Sequence, residues 1–260
     1  MSNQIHPSAL VAGDLRLGSG NVIGPYAVVE HDVLMGDGNR IAAHAVIKRG
    51  TRLGNTNQIF EHAVIGGDPQ DLAFAPETRS YLQIGDGNVL REGVTINRAS
   101  KEGEATVLGD GNFMMTTSHI GHDCRIGDRN VFTVSSGLAG HVTVEDRVFV
   151  SGGVMIHQFT HIGTLAMLGG NSKITQDCLP YMIVDGHPGR VRGLNVVGLK
   201  RAGYNREDLS ALKEAYRIVF RSGLGLEEVL GQLEAFGNRF AAQLAQSIRH
   251  AKRGFHREET

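Results

Sequence analysis

The chain has no tryptophan, only two cysteines and six prolines in 260 residues, and aromatics make up just 6%. Two cysteines, Cys124 and Cys178, are too few for a disulfide framework and fit a reducing compartment. An excess of one charge is also missing. Lys and Arg number 26 against 27 Asp and Glu, a formal charge of −1, so no global field gathers nucleic acid or anionic membrane. No stretch reaches the ~20 apolar residues that cross a bilayer, and the start MSNQIHPSAL shows neither the basic nor the apolar region of a signal peptide. These absences predict a cytoplasmic protein. Hydrophobic content of 41% and charge of 20% still describe a chain that folds around a core.

What the chain has in excess is glycine. Its 35 glycines are nearly twice the typical share of about 7%, and each interior glycine costs a helix roughly 1 kcal/mol relative to alanine. Most of the chain should therefore be turns and short extended pieces.

A six-residue rhythm accounts for them. From Ile5, steps of six meet Val11, Leu17, Ile23, Val29, Met35, Ile41, Ile47, Leu53, Ile59 and Ile65, all apolar. The rhythm resumes at Ile84, Leu90 and Ile96, then runs without a miss from Leu108 through Ile120, Ile126, Leu138, Ile156 and Ile162 to Ile174. Glycine often follows the apolar residue, as in LGSGNV, IGDGNV and LGDGNF. A period of six suits neither an amphipathic helix nor a plain alternating strand. It suits a parallel β-helix in which each hexad is one short strand and a turn, with the apolar residue inward and Gly, Asn or Asp at the corner. Three hexads close one coil of 18 residues, and each coil covers the edge of the next. Residues 66–83 and 97–107 break the period and are expected to leave the solenoid as loops, where functional residues concentrate; Gln70, Asp71 and Leu72 in the first are candidates.

The pattern ends at Pro180. Residues 179–204 read as linker and cap. Asn205 with Asp208 three residues on starts a helix whose apolar face carries Leu209, Leu212, Tyr216, Val219 and Phe220. Leu226 to Leu233 predicts a second helix ending near Gly237, and Phe240, Leu244 and Ile248 a third. The expected architecture is an all-β solenoid, a parallel β-helix of hexapeptide repeats with loop insertions, followed by a small C-terminal α-helical domain. The boundary falls between residues 1–190 and 191–260.

Coil arithmetic also gathers the histidines. His141 lies 18 residues beyond Asp123, and Gly140 lies 18 beyond His122, so a histidine–carboxylate pair and a glycine amide share one edge. A carboxylate beside an imidazole can orient it for base work. The alternatives are a solvated face, the reading favoured for His44 and His62, or a zinc site on adjacent rungs. Against zinc, His119 and His122 are three apart, which on a strand points them to opposite faces. No metal and no cofactor are expected.

The segments HIGHDCRIGDRN (119–130), LAGHV (138–142), IHQF (156–159) and NVVGLKRAGY (195–204), with QDL in the first loop, resemble the bacterial UDP-N-acetylglucosamine O-acyltransferases over nearly the whole chain. The resemblance implies a left-handed β-helix and a homotrimer with active sites between subunits. It also implies transfer of a 3-hydroxyacyl chain from acyl carrier protein to the sugar 3-hydroxyl, the opening step of lipid A biosynthesis. By the same resemblance His122 is the general base, Asp123 orients it and the Gly140 N–H stabilises the oxyanion. Gln70, Asp71, His119, His141, His157 and Gln158 match contacts to sugar, phosphates or acyl hydroxyl, and Asn195 and Arg201 match nucleotide and phosphate contacts. Gly170 matches a position that limits acyl length. Lys200, Arg201, Arg217, Arg221, Arg249, Lys252 and Arg253 are candidates to dock the acidic carrier protein, the other reading being an ordinary solvated helix surface. Ala73, Asn97, Val197 and Ala202 depart from the family pattern. They leave two alternatives: acylation of a different nucleotide sugar, including an amino sugar, or a non-catalytic β-helix that binds a nucleotide sugar.

Overall fold

The computed structural model describes residues 2–13 and 15–258. Among these residues three sheets of eleven, nine and eight short strands wrap a prism. The hexad sets the strand: in Ile120, Leu138 and Ile156 the second residue of each two-residue strand points inward and is buried. Successive coils pair in parallel at an offset of 18, as in Val131 with Phe149 and Phe149 with Met167. The inward column of Ile, Leu, Val and Met forms one continuous dry core, and fully burying each such side chain stabilises the fold by about 1.5–3 kcal/mol.

The corner motif GDGN has its own physical reason. The side chain of Asn39 accepts from the N–H of Asn57, Asn57 from Asn88 and Asn88 from Asn112, a buried ladder that satisfies one corner amide per coil. An exposed ladder two residues earlier runs the other way: Asp110, Asp128 and Asp146 each accept the N–H of the aspartate one coil before, Asp86, Asp110 and Asp128. Glycine precedes the aspartate because a Cβ on Gly109 would lie 2.2 Å from Asp128 Oδ1 and 2.8 Å from the Gly127 carbonyl.

The interruptions are shorter than the sequence suggested. The strands Tyr81–Ile84 and Ala105–Leu108 begin before their inward residues, so the excursions run over 68–80 and 98–104. Register records them: Val64 pairs with Thr95, 31 residues on, and Thr95 with His119, 24 on. Both leave the corner that joins the nine-stranded sheet to the eight-stranded one.

The stretch 179–204, read as a linker, is structured. The strands Met182–Asp185 and Arg190–Leu194 form an antiparallel hairpin on the last coil, and a short helix α1 follows at Val196–Arg201. Among the described residues the helical region therefore has four helices, not three. Helix α2 spans Arg206–Arg221 behind the expected Asn205–Asp208 capping box, α3 spans Leu226–Phe236 and stops at left-handed Gly237, and α4 spans Arg239–His250. Among the described residues no helix is long and apolar enough to cross a membrane. Cys124 and Cys178 are free and buried; burial pushes the Cys124 thiol up to about 12 and raises Cys178 as well, so neither offers a thiolate near neutral pH.

Candidate active site

The corner between the nine- and eight-stranded sheets carries six of the residues singled out from sequence. The turn after strand His119–Ile120 presents His122 and Asp123, the next coil presents Gly140 and His141, and the one above presents His157 and Gln158. Asp123 and His141 both adopt left-handed backbone, φ 60° and 61°, so their side chains stack one rung apart. His122 Nδ1 and Asp123 Oδ2 are 2.7 Å apart, and His141 Nε2 stands 3.6 Å from the same oxygen. The two imidazoles meet edge to face with centroids 5.2 Å apart, and His141 stacks on exposed Phe159 at 4.6 Å.

Asp123 is more than a neighbour. Its carboxylate also accepts the Ser100 N–H at 3.1 and 3.2 Å, delivered by the second loop, while its own N–H donates to Thr106 Oγ1. Burial works against its charge, but the hydrogen bonds from His122 and Ser100 together outweigh it and hold the carboxyl below its ordinary range. It is therefore ionised at neutral pH, a fixed acceptor that leaves His122 Nε2 free to face outward.

Gly140 lies flat against this imidazole. A Cβ there would fall 2.6 Å from His122 Cε1 and 2.7 Å from Nε2, so the ring has room only because the residue above it is glycine. Among the described residues the Gly140 N–H has no hydrogen-bond acceptor. A proton acceptor and an unused amide donor thus sit side by side, the pairing that acyl transfer to a hydroxyl requires.

The expected residues outside the His122–Asp123–His141 cluster occupy this edge and the other two. His119 precedes the corner; its Nδ1 and Thr95 Oγ1 are 2.7 Å apart, and burial pushes its pKa down, so it is neutral at pH 7. His157 is exposed, with Nδ1 3.1 Å from the Gln158 carbonyl. Gln70 and Asp71 stand exposed on the first loop, bonded to neither histidine, and Leu72 is fully exposed. Gly170 occupies the edge beyond the nine-stranded sheet, and a Cβ there would meet only the Gly152 carbonyl at 3.7 Å. The fold does not demand a glycine there.

Asn195 and Arg201 are together, but elsewhere. With Arg129, Arg147, Val197 and Ala202 they line a cavity of about 770 Å³ under α1, on the edge beyond the eight-stranded sheet. Asn195 has a structural task too: it accepts the Gly198 N–H at 3.0 Å as N-cap of α1 and donates to the Leu165 carbonyl at 2.9 Å. Within one chain this cavity and the His122 corner are a sheet apart.

His122, Asp123 and His141 are also a group whose ligand atoms, all within 4.8 Å, could turn toward a metal; it holds the adjacent-rung imidazoles of the zinc alternative, without His119. Ligands on a tetrahedral ion with bonds of ~2.0–2.1 Å stand roughly 3.3 Å apart. An ion would have to displace the 2.7 Å hydrogen bond. Sequence reasoning missed Ser100, Thr106 and the buried Arg98, all tied to insertions in which the six-residue register is lost.

Comparisons with known proteins agree with this architecture. Residues 177–256 match the family described as Udp N-acetylglucosamine O-acyltransferase, Domain 2, and residues 14–49 match the bacterial transferase hexapeptide repeat. An acyl-[acyl-carrier-protein]–UDP-N-acetylglucosamine O-acyltransferase of Alkalilimnicola ehrlichii is 46% identical over 193 residues, 73% of this chain and 74% of that one. Its counterpart in Gloeothece citriformis is 44% identical over 186 residues, 72% of this chain and 67% of that one. The crystal structure of a Bacteroides fragilis UDP-N-acetylglucosamine acyltransferase superposes with a TM-score of 0.94 at 36% identity, covering 97% of this chain and 99% of that one. By fold, repeat and sequence together, the chain belongs to the UDP-N-acetylglucosamine O-acyltransferase family.

Proposed function

We propose that the protein transfers a 3-hydroxyacyl chain from acyl carrier protein to the 3-hydroxyl of UDP-N-acetylglucosamine, the reaction that opens lipid A biosynthesis. The observation that carries the reading is the His122–Asp123 bond of 2.7 Å packed beneath Gly140. His122 Nε2 takes the proton of the sugar hydroxyl as its oxygen attacks the thioester carbonyl. Asp123 fixes the ring and stabilises the imidazolium, and the Gly140 N–H donates to the oxyanion. When the tetrahedral intermediate collapses, the C–S bond breaks and the carrier thiolate takes the proton back. His119, His141, His157 and Gln158 surround the reacting groups, Gln70 and Asp71 hold the sugar from the first loop, and Asn195 and Arg201 hold the nucleotide. Gly170 leaves space for the end of the acyl chain. Domain division at residues 190 and 191 and a cytoplasmic setting, where acyl carrier protein works, belong to the same reading.

The separation of the His122 corner from the Arg201 cavity supports a homotrimer. One chain cannot bring both to one ligand across a sheet, so the corner of one protomer meets the cavity of the next. A second wall also excludes water from the imidazole. Cationic side chains on the helices, among them Lys200, Arg217 and Arg249, suit an acidic carrier protein.

Purified protein should convert UDP-N-acetylglucosamine and a panel of 3-hydroxyacyl carrier proteins to acylated product, followed by mass spectrometry. His122→Ala should lower turnover by about 10²–10⁴-fold with acceptor binding retained. Absence of transfer by the wild type would overturn the reading. Val197 and Ala202 depart from the family pattern in a cavity that also holds Arg129, Arg147 and Arg201, and the panel includes a 3-amino analogue of the sugar; preference for it identifies an amino-sugar acceptor.

A further inference from the structure

The second loop, whose Ser100 N–H reaches Asp123, opens on a residue that no part of the reaction scheme uses. Arg98 has a side chain only 2% exposed, and a guanidinium survives burial only where its donors are met. Here they are. Nε and Nη2 both reach Asp68 Oδ1 at 2.9 Å; Nη1 donates to the Thr78 carbonyl at 2.6 Å and to Ser80 Oγ at 3.0 Å; Nη2 also faces the Pro76 carbonyl at 3.4 Å. All these acceptors belong to the first loop or its exit, so one side chain pins the segment that carries Gln70 and Asp71 at both ends.

The same residue binds the two insertions together. Its own N–H donates to the Gly67 carbonyl at 2.9 Å, and the hydroxyl of Ser80, which accepts from Nη1, donates a hydrogen bond to the Ala99 carbonyl. The loops are joined again farther out, where the Arg79 N–H meets Glu102 Oε2 at 2.8 Å. Two residues after Arg98, the Ser100 N–H lands on the Asp123 carboxylate. The line of contacts runs from the first loop through Arg98 and Ala99 to Ser100, and from there to the group that orients His122.

We propose that Arg98 is a positioning residue that couples the acceptor-holding loop to the His122–Asp123 pair, so that one buried guanidinium sets both substrate affinity and the aim of the base. The inference rests on the acyltransferase reading above. It makes the second insertion part of the catalytic apparatus through its backbone contact with Asp123.

A kinetic cycle tests it. Arg98→Met should raise the acceptor KM about tenfold and lower kcat about tenfold, each the equivalent of roughly one hydrogen bond. In an Asp123→Ala background the kcat effect should vanish, because its route is gone, while the KM effect persists. A merely structural arginine would give losses that multiply in both parameters, and that result, or wild-type kinetics in Arg98→Met, overturns the proposal. If Arg98→Met does not fold, Arg98→Lys, which keeps the charge but not the fork, enters the same cycle. If the wild type transfers no acyl group, the acyltransferase reading fails instead. Arg98 is then judged by amide exchange: Ser100 should exchange at least about tenfold faster in Arg98→Met, and unchanged exchange refutes the coupling.

Discussion

Gly140→Ala is the sharpest probe of the site, because it adds one carbon at a known place and removes no functional group. The added Cβ would lie 2.6, 2.7 and 3.1 Å from Cε1, Nε2 and Nδ1 of His122. Non-bonded heavy atoms rest at about 3.5–4.0 Å, so the ring must retreat by about an ångström. Its Nδ1 is held 2.7 Å from Asp123, and a retreat of that size takes the pair beyond hydrogen-bond range. The imidazole then loses a charge-assisted contact worth roughly 1.5–3 kcal/mol and no longer faces the hydroxyl. The loss of base catalysis should fall near the 10²–10⁴ range for general bases. Stability should fall by about 0.5–2.6 kcal/mol, far less than the activity loss demands. Gly140 is not in the left-handed region, so alanine fits the backbone and stiffens the unfolded chain by about 0.4–1 kcal/mol, offsetting part of the lost contact. The alanine keeps its N–H, so the oxyanion donor survives. Turnover of Gly140→Ala, His122→Ala and the double variant should be compared beside their melting temperatures. The double variant should be no slower than His122→Ala alone. Gly140→Ala activity within threefold of wild type, or a further hundredfold loss in the double variant, would refute the geometry.

Three further outcomes follow from other parts of the molecule. Mixing His122→Ala and Arg201→Ala chains, each inactive, should restore about a quarter of wild-type activity, because random assembly makes three trimers in four mixed and each mixed trimer has one intact junction in three; mixtures as inactive as their parents would exclude a shared site. Asn195→Ala removes the α1 cap and leaves the Leu165 carbonyl without its side-chain donor, so unfolding monitored by calorimetry should show a loss of about 1–2 kcal/mol, even with no nucleotide present. His161 Nε2 pairs with Glu145 at 2.7 Å; that carboxylate, against the opposing effect of burial, raises the His161 pKa, while for Glu145 the bonds from His161 and Thr164 outweigh burial and lower it. The histidine's contribution is complete below the ordinary value of ~6.5 and lost as pH rises through its raised folded value; the glutamate's is complete above ~4.3 and lost as pH falls. The melting temperature should therefore fall more steeply above pH 6.5 in wild type than in His161→Gln, and parallel curves would show that the pair is inert.

How far the sequence reached depends on how each residue is held. Ile120, Leu138 and Ile156 were legible because a prism admits one inward side chain per rung, and His122, Asp123, Gly140 and His141 because 18 residues return the chain to the same corner. Arg98 and Ser100 were not, since an insertion erases the register that predicts where a side chain goes. Helix α1 was hidden for a different reason. Its opening Val196, Val197 and Gly198 are poor helix formers, and the turn exists because Asn195 caps it and Leu199 is buried against the last coil. The excursions were overestimated at 66–83 and 97–107 because Tyr81 and Ala105 pair before the next inward residue arrives.

The same arithmetic overlooked His161 and Glu145, which lie 16 residues apart and form a bond as short as that of His122 and Asp123. Distance alone cannot separate the two pairs; their surroundings do. Glu145 spends its second oxygen on the N–H and hydroxyl of Thr164, and His161 engages Glu145 through Nε2, the nitrogen that His122 keeps free. Helix α4 lies over that pair with Gln243, Gln246, Ser247 and His250 around a cavity of about 240 Å³, so it braces the junction of solenoid and helices. His122 uses Nδ1 for its carboxylate, has a glycine instead of a side chain above it and an unspent amide beside it. A histidine–carboxylate pair is placed for acyl transfer when its second nitrogen lies against an unspent amide donor, and at the His122 corner the bare Gly140 backbone against the imidazole gives that pairing.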